Sequence, residues 1–519
     1  FLLPHLGQLR DPRRMKGMEA ACLRILRAVK DGETIGVFTD YDVDGVCSAV
    51  LLHRFFTGIG TPPPVVFFPD RTSDGYGLNT RGIDELHAQG VTLLITADCG
   101  VTAHDEVAYA CSLGMDVIVT DHHEMDAALP RAWAVINPKQ SDCPFFGEDL
   151  CGAGVVFHLV VALRSMLREM GHGALPNLRD ELDIVAMATV ADAVSLSGLN
   201  RILVKEGLEV LNAASKVGLS ALVRIAGLRK ELITRDIGYI LGPRINAAGR
   251  VAHARKAFDL LTTEDSGHAQ RLAMELDMLN RTRQSHEQAV LDAALERLRS
   301  RPPAGHVVVV WGDRWHIGVL GIVASRLAAL YSRPAVVISV NEGRGTGSGR
   351  SVPGVDLHRA LEEVSPLLNT YGGHKMAVGL SVDEKRIAEL AASLEEVLGR
   401  MSGHAGPPAF EVDLAVSPFD LSGAFIDELD LLAPHGEGNP EPVLLIPSME
   451  VVGVTTYKDG QSKLVLRHSN RVFHTLRSPL VNGSFGQGSR LDVAFTPVKV
   501  LVNGHRYLYL SLKALAPRR

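Results

Sequence analysis

The chain has 519 residues, too many for one ordinary core, and length alone predicts three or four domains. Its 46% hydrophobic and 22% charged residues are those of a soluble globular protein, and no apolar run approaches the roughly 20 residues that span a bilayer. The net charge of −6 argues against a nucleic-acid partner until its distribution is seen: Ile446–Arg519 holds 11 Lys/Arg against 3 Asp/Glu, a net +8 that leaves −14 elsewhere. Between Ala405 and Leu445 stand eight acids and no Lys or Arg, so an acidic connector precedes a basic terminal module, a pattern that points to an anionic partner at one end.

Phe1 stands where an initiator methionine would be expected, and the short apolar start lacks the basic and long apolar regions of a signal peptide. Six scattered cysteines (Cys22, Cys47, Cys99, Cys111, Cys143, Cys151), with no CxxC pair, predict a reducing cytoplasm and exclude a zinc knuckle or disulfide frame. In the first 200 residues, Ile35–Phe38, Val65–Phe68, Leu93–Ile95 and Val117–Val119 read as buried strands. Helices are predicted near 45–57, 80–89, 102–113 and 150–170. This alternation implies a parallel, doubly wound α/β sheet. Residues 200–260 look helical with turns. From Glu264 to Ser300 runs one long amphipathic helix, with Leu272, Leu276 and Leu279 on one face, ended by Pro302 and Pro303. A second, smaller α/β unit follows, with strands at Val307–Trp311 and Ala335–Val340 and helices near 318–331, 355–368 and 384–400. Met401–Pro408 reads as a linker. Beyond Pro442, six short strands are predicted, at Val443–Ile446, Val451–Thr456, Lys463–Arg467, Val472–Leu476, Leu491–Val502 and Tyr507–Leu512, as in a small barrel. The expected domains are residues 1–230, 231–300, 301–402 and 403–519.

Three motifs share a position at strand ends. Asp40-Tyr-Asp42-Val-Asp44-Gly follows the first strand, Asp98-Cys-Gly the third and Asp121-His122-His123 the fourth. Open parallel sheets bind ligands beyond the carboxyl ends of their strands, so one edge collects carboxylates and imidazoles. Asp192 adds another carboxylate in the apolar stretch Ile184–Val194, where a lone acid is costly. Taken singly, Asp40 or Asp44 reads equally as a turn residue or a helix N-cap. Asp98 reads as a cap of the helix after Val101, and His122 as an exposed loop residue. Taken together they point to divalent metal. Clustered carboxylates repel until a cation neutralises them, and hard oxygens mixed with imidazole suit Mn²⁺ or Mg²⁺ better than zinc. Two ions about 3.5–4 Å apart would activate water and stabilise the attacking and leaving oxygens of a phosphodiester.

These residues resemble the DHH phosphoesterase superfamily, named for the triplet at 121–123, and within it the RecJ family of single-strand-specific 5′→3′ exonucleases. DYDVDG (40–45), TADCG (96–100), TDHHE (120–124) and ATVADAV (188–194) resemble its four metal motifs in order. GPRINAAGR (242–250) resembles the loop before its long helix. GSGRS (347–351) and YGGHKMAVG (371–379) resemble the DHH-associated domain, and HGEGNPEPV (435–443) the entrance to an OB-fold. The resemblance implies a DHH catalytic domain, a long linker helix, a DHH-associated substrate-binding domain and an OB-like barrel. It implies Asp42, Asp44, Asp98, His122 and Asp192 as metal ligands, with Asp98 bridging two ions. His123 would face the scissile phosphate, and Asp40 would be a ligand or outer partner. Superfamily members often carry histidine where Phe38 stands, and phenylalanine cannot ligate. Single-stranded DNA is the implied substrate, cut to 5′-mononucleotides in repair and recombination. Single-strand-binding protein and a helicase are the implied partners of a monomer.

Other residues suit the substrate. Arg71, in a Gly-containing loop after the second strand, offers a bidentate fork for phosphate, or is a turn residue. In Gly347-Ser348-Gly349-Arg350-Ser351, glycine lets backbone N–H groups approach an anion, with Arg350 and Ser351 as added donors; the alternative is a flexible hairpin. Arg244 and Arg250 read alone as surface salt bridges, and His374 as a turn residue. The resemblance implies that the His374 motif lines the cleft opposite the metals. Along 506–513, Leu508, Leu510 and Leu512 share one strand face and Tyr507, Tyr509, Ser511 and Lys513 the other. Aromatic platforms beside positive charge hold single strands without sequence preference, unless the tyrosines pack under a loop. An oligoribonuclease or small-nucleotide phosphatase of the same superfamily would lack the terminal barrel. A catalytically dead companion of a replicative helicase would have lost the carboxylates.

Overall fold

The computed structural model describes residues 1–71, 74–300, 303, 305–401, 410–458, 460–481, 485–502 and 505–518, without the side chains of 501, 502, 505 and 506. Pro302 and, Met401 apart, the linker predicted at 401–408 lie outside the described residues. Two compact units result: residues 5–194 with 198–405, and residues 406–519 with the short pieces 1–4 and 195–197.

The larger unit opens with α1 (Met18–Asp31), β1 (Thr34–Thr39), α2 (Val43–Gly58), β2 (Val65–Phe67), α3 (Thr80–Ala88), β3 (Val91–Ala97), α4 (His104–Ser112), β4 (Asp116–Thr120), β5 (Ala134–Ile136) and α5 (Gly152–Glu169). The strands form one parallel sheet in the order β2-β1-β3-β4-β5. Successive side chains leave opposite faces. Val37, Leu93, Ile95 and Ile118 therefore join the core with α1, α2 and α5, while Phe38, Leu94, Val117 and Val119 join the core with α3 and α4. Burial on both faces makes each strand a continuous apolar run, which is why these four strands were visible in the sequence. β5, a three-residue edge strand, was not predicted. Because β1 lies beside β3 although β2 intervenes in the chain, the sheet has a switch point between them, where α/β sheets open a crevice.

Next come α6 (Leu182–Ala191), α7 (Gly198–Asn212), α8 (Val217–Ile225), the one-turn α9 (Thr234–Asp236), a π-helical turn Ile237–Leu241, α10 (Gly242–Val251), α11 (Arg255–Thr262) and the long α12 (Ser266–Ser300). The segment 242–250 was expected as a loop and is instead helix α10. Pro243 occupies its first turn, where a missing N–H costs no hydrogen bond. Gly249 lets that helix touch the β1–α2 loop, since a Cβ there would lie 2.4 Å from the Tyr41 carbonyl.

A second, mixed sheet is built from β6 (Val308–Asp313), β7 (Ala335–Asn341), β8 (Arg344–Arg350), β9 (Thr370–His374) and β10 (Ala377–Asp383), in the order β6-β7-β8-β10-β9. Its helices are α13 (Leu320–Tyr331), α14 (Leu357–Glu363) and α15 (Ile387–Met401). The helix predicted to reach 368 ends at Glu363, where a 3₁₀ turn containing Pro366 takes over. The glycine-rich segment at 347–351 corrects a larger expectation. It is no anion-cradling loop: its first four residues end the central strand β8, and Ser351 directly follows. Ser348 lies opposite Val337 and Gly379, and Gly349 opposite Val336 and Val378, so this backbone is committed to the ladder. The glycines make room for neighbours, as Ile338 and Leu380 press on Gly347.

The smaller unit holds β11 (Leu414–Ala415), α16 (Gly423–Asp430), β12 (Leu444–Thr456), β13 (Ser462–His468), β14 (Arg471–Thr475), β15 (Arg490–Val502) and β16 (His505–Pro517). Pairing of β12 with both β13 and β15 closes five strands into a barrel. The first two predicted strands are one continuous β12, whose register shifts as it passes from one partner to the other. Among the described residues, no helix is long and apolar enough to cross a membrane.

A candidate metal centre and phosphate cleft

The β1–α2 loop delivers Asp40 and Asp42, and the first turn of α2 delivers Asp44. Asp42 caps α2, accepting the N–H groups of Asp44 and Gly45 at 2.9 and 3.1 Å, so the cap is neither Asp40 nor Asp44. Asp44 is buried and accepts the N–H groups of Gly152 and Ala153, the first turn of α5, at 2.6 and 2.7 Å. Asp98 directly follows β3 in the left-handed region, at φ 61°, a strained position for a non-glycine residue, and it caps no helix. Gly152 faces it so closely that a Cβ would lie 2.6 Å from the Asp98 Cβ. His122 is buried, not an exposed loop residue. Its Nε2 lies 3.2 Å from Asp98, 3.6 Å from Asp192 and 3.7 Å from Asp44. Asp192 is delivered by the C-terminal end of α6.

Three groups of potential ligand atoms result, each within 4.8 Å: Asp40 with Asp42 and Asp98; Asp44 with His122 and Asp192; Asp98 with His122 and His123. Burial, then the neighbouring carboxylates, holds Asp98 and Asp192 well above the usual carboxylate range. Asp40 is raised by burial and by Asp42, and Asp44 is raised chiefly by burial. Burial also lowers His122, keeping its imidazole neutral and able to act as a ligand.

Three family profiles match: the DHH family N-terminal domain over 34–189, the DHHA1 domain over 304–400 and the RecJ OB domain over 412–514. The single-stranded-DNA-specific exonuclease RecJ of Escherichia coli is 36% identical over 452 residues, 83% of this chain and 78% of that protein. The chain belongs to the RecJ family. The Bacillus subtilis RecJ is 37% identical over 443 residues, covering 84% of this chain; the chain spans only 55% of that relative's length. The crystal structure of RecJ from Thermus thermophilus with Mn²⁺ superposes with a TM-score of 0.85 at 32% identity, covering all of this chain and 74% of that one; the Mg²⁺ complex gives 0.79.

RecJ proteins thus hold Mn²⁺ and Mg²⁺ in solved structures, and the residues here fit such ions. Buried Asp40 Oδ1, Asp98 Oδ1 and His122 Nε2 meet no hydrogen-bond partner, a costly condition that a cation relieves. Asp98 belongs to two of the three groups, as does His122. Phe38 takes no part. It is fully buried, its ring 5.1 Å from Phe67 in the α3–α4 core.

The nominated substrate residues divide. Arg71, Arg250 and Arg350 are brought together: burial, then Arg71 and further arginines including Arg350, lowers the Arg250 guanidinium to about 10, and burial with Arg71 also lowers Arg350. Such mutually repelling cations suit a phosphate. Arg71 also lies over the Tyr41 ring at 5.2 Å. His374 stacks 6.4 Å from His123, so the second sheet reaches the first sheet's motif. Ser348 accepts from Arg350 at 3.2 Å. Arg244, in contrast, is held by Asp277 at 2.9 Å and the Ile240 carbonyl, which ties α10 to α12. The Ser351 hydroxyl donates to the Val355 carbonyl at 2.9 Å. In the barrel, Leu510 and Leu512 are buried, while Tyr507 is 51% exposed and Tyr509 lies 6.1 Å from His474.

Two residues had no role in the reading of the sequence. Asp121 is buried and binds Val101 N–H, both histidine N–H groups and His123 Nδ1, the last at 2.8 Å. His123 is therefore raised: burial lowers it, but the hydrogen bond and charge of Asp121 outweigh that. Tyr76, in the Arg71 loop, places its hydroxyl 3.3 Å from His123 Nδ1. Asp121 had a signal, since it directly follows β4; Tyr76 had none.

Proposed function

We propose that this chain is a metal-dependent 5′→3′ exonuclease that hydrolyses single-stranded DNA to 5′-mononucleotides, in repair and recombination. The observation that carries the reading is the convergence of orphaned buried ligand atoms from Asp40, Asp98 and His122 on one switch-point crevice, beside three clustered arginines. Asp42, Asp44, Asp98, His122 and Asp192 would hold two divalent ions, Asp98 between them and Asp40 beside them. When bound, such ions supply Lewis acidity and a template for in-line displacement at phosphorus. Arg71, Arg250 and Arg350 bind the strand's phosphate and orient it. Asp121 fixes the His123 ring so that it faces the scissile phosphate, with His374 stacked against it. The partly exposed Tyr507–Tyr509 face of β16 offers stacking surface for bases. The domain boundaries proposed are 1–230, 231–300, 301–402 and 403–519. The monomeric state and the partners, single-strand-binding protein and a helicase, rest on the family resemblance. A reducing, cytoplasmic setting is supported by six free cysteines, five of them buried.

The test is degradation of a 5′-labelled single strand with Mn²⁺, Mg²⁺ or chelator, beside duplex DNA, an RNA strand and a cyclic dinucleotide. The expected result is metal-dependent loss of the single DNA strand with the duplex resistant. Metal-independent hydrolysis would overturn the mechanism, and preferred hydrolysis of the cyclic dinucleotide would overturn the substrate.

A further inference from the structure

Lys139 lies outside every motif of the metal centre, on the segment after β5. That segment is built to hold one shape. Asn137 is fully buried; its Nδ2 donates to the His123 carbonyl at 3.0 Å and its Oδ1 accepts the Lys139 N–H at 2.8 Å. Gln140, also buried, ties back to the Val135 and Asn137 carbonyls at 3.1 and 3.3 Å. A single buried amide thus fixes both the His123 backbone and the root of Lys139. The ammonium points to the same region. It sits 3.0 Å from Glu124, the residue after the DHH triplet, and Lys139 is 31% exposed while Glu124 is 71% exposed.

The position has a chemical meaning. The charge of Lys139 acts on His122, Asp192 and His374, behind burial and nearer groups in each case. Arg71 acts on Asp40, and Arg71 and Arg250 both act on Tyr41 beside it. Positive charge therefore stands near His122 and Asp192 as well as near Asp40. Glu124, the partner of Lys139, lines a cavity together with Asp356, His358, His374 and Lys375, and His374 stacks on His123 of the metal motif. A phosphodiester chain crossing the ligand set needs a cation on each side of the cut. An ion pair as exposed as Glu124–Lys139 contributes little to stability, so exchanging its carboxylate for a phosphate costs little.

We propose that Lys139 is a strand-binding residue that grips the phosphodiester on the far side of the cut from the arginine cluster, with Glu124 holding its place until the strand arrives. This rests on the exonuclease reading above. Arg71, Arg250 and Arg350 take the phosphate at one end, and Lys139 the next internal phosphate. Lysine suits this role, since its point charge follows a moving phosphate without demanding one geometry.

The experiment measures binding of a short 5′-phosphorylated oligothymidylate to the full chain by fluorescence anisotropy over a salt series, with Ca²⁺ replacing Mn²⁺ so that the strand is held and not cut. Lys139→Met is expected to weaken binding about fivefold at low salt, the attraction of one ammonium for one phosphate in water, and to reduce the log–log salt slope by about one. Lys139→Arg should retain both. Glu124→Gln should tighten binding, because Lys139 no longer has a competing partner. A Lys139→Met variant with the parent's affinity and slope overturns the proposal. So does a Glu124→Gln variant weakened as much as Lys139→Met, which would make the ion pair a structural support. A parallel Mn²⁺ digestion of the strand by the parent separates the two readings: a parent that does not cut refutes the exonuclease assignment, while altered binding by the variants still decides the role of Lys139.

Discussion

Asp98 carries opposing demands within one side chain. It sits in a left-handed backbone conformation, is buried, and has four other aspartates close enough to raise it. Burial is the first cause and repulsion by Asp44, Asp42, Asp192 and Asp40 follows. Its folded-state proton affinity exceeds the unfolded value near 3.9. The stability from that proton is therefore full below the unfolded value and lost as pH rises through the folded one. In chelator, Asp98→Asn should melt higher than the parent, by a margin that grows from about pH 4 toward neutrality, and Mn²⁺ should close the gap. A margin independent of pH would show that the carboxylate is not repelled. Asp98→Ala should abolish cleavage while leaving single-strand binding by anisotropy within about threefold, since phosphate contacts supply most of the affinity. Equal loss of both would place Asp98 in folding rather than chemistry.

Elements matter here through where they begin and end. The first turn of α5 offers two N–H groups to Asp44 and, at Gly152, the space that Asp98 occupies. Gly152→Ala must displace Asp98, at an overpacking cost of about 1–3 kcal/mol. Urea unfolding should show that modest loss, while the Mn²⁺ concentration for half-maximal activity rises at least tenfold. An unchanged metal requirement would mean that Asp98 is not the shared ligand. At the other sheet, β8 shows what glycine spacing conceals. Gly345, Gly347 and Gly349 suggest a loop, but each sits under an apolar side chain of a neighbouring element. The same strand sends Arg350 to the arginine cluster, so the proposed phosphate contact comes from a strand end and not from a glycine cradle.

Across the whole molecule, the catalytic sheet and the barrel are separate tasks. The basic excess after Ile446 belongs to the closed five-stranded barrel. Deleting residues 405–519 should weaken binding of long single strands at least tenfold and flatten its salt dependence, while hydrolysis of short strands persists. Unchanged long-strand affinity would remove the barrel from substrate binding. Much of this organisation was legible in order. Strands buried on both faces appear as apolar runs, and Asp40–Asp44, Asp98, Asp121–His123 and Asp192 stand after them or in one apolar stretch, so the kind of chemistry followed from residue type and position. What the chain order could not contain was which distant groups meet. The placing of β1 beside β3, the burial that orphans His122 Nε2, the gathering of Arg71, Arg250 and Arg350, and the diversion of Arg244 to Asp277 all depend on contacts between residues far apart in the chain. Local sequence sets periodicity and turn chemistry. Electrostatic neighbourhood and burial arise only when the sheet and helices pack, and there the candidate site acquires its charge and shape.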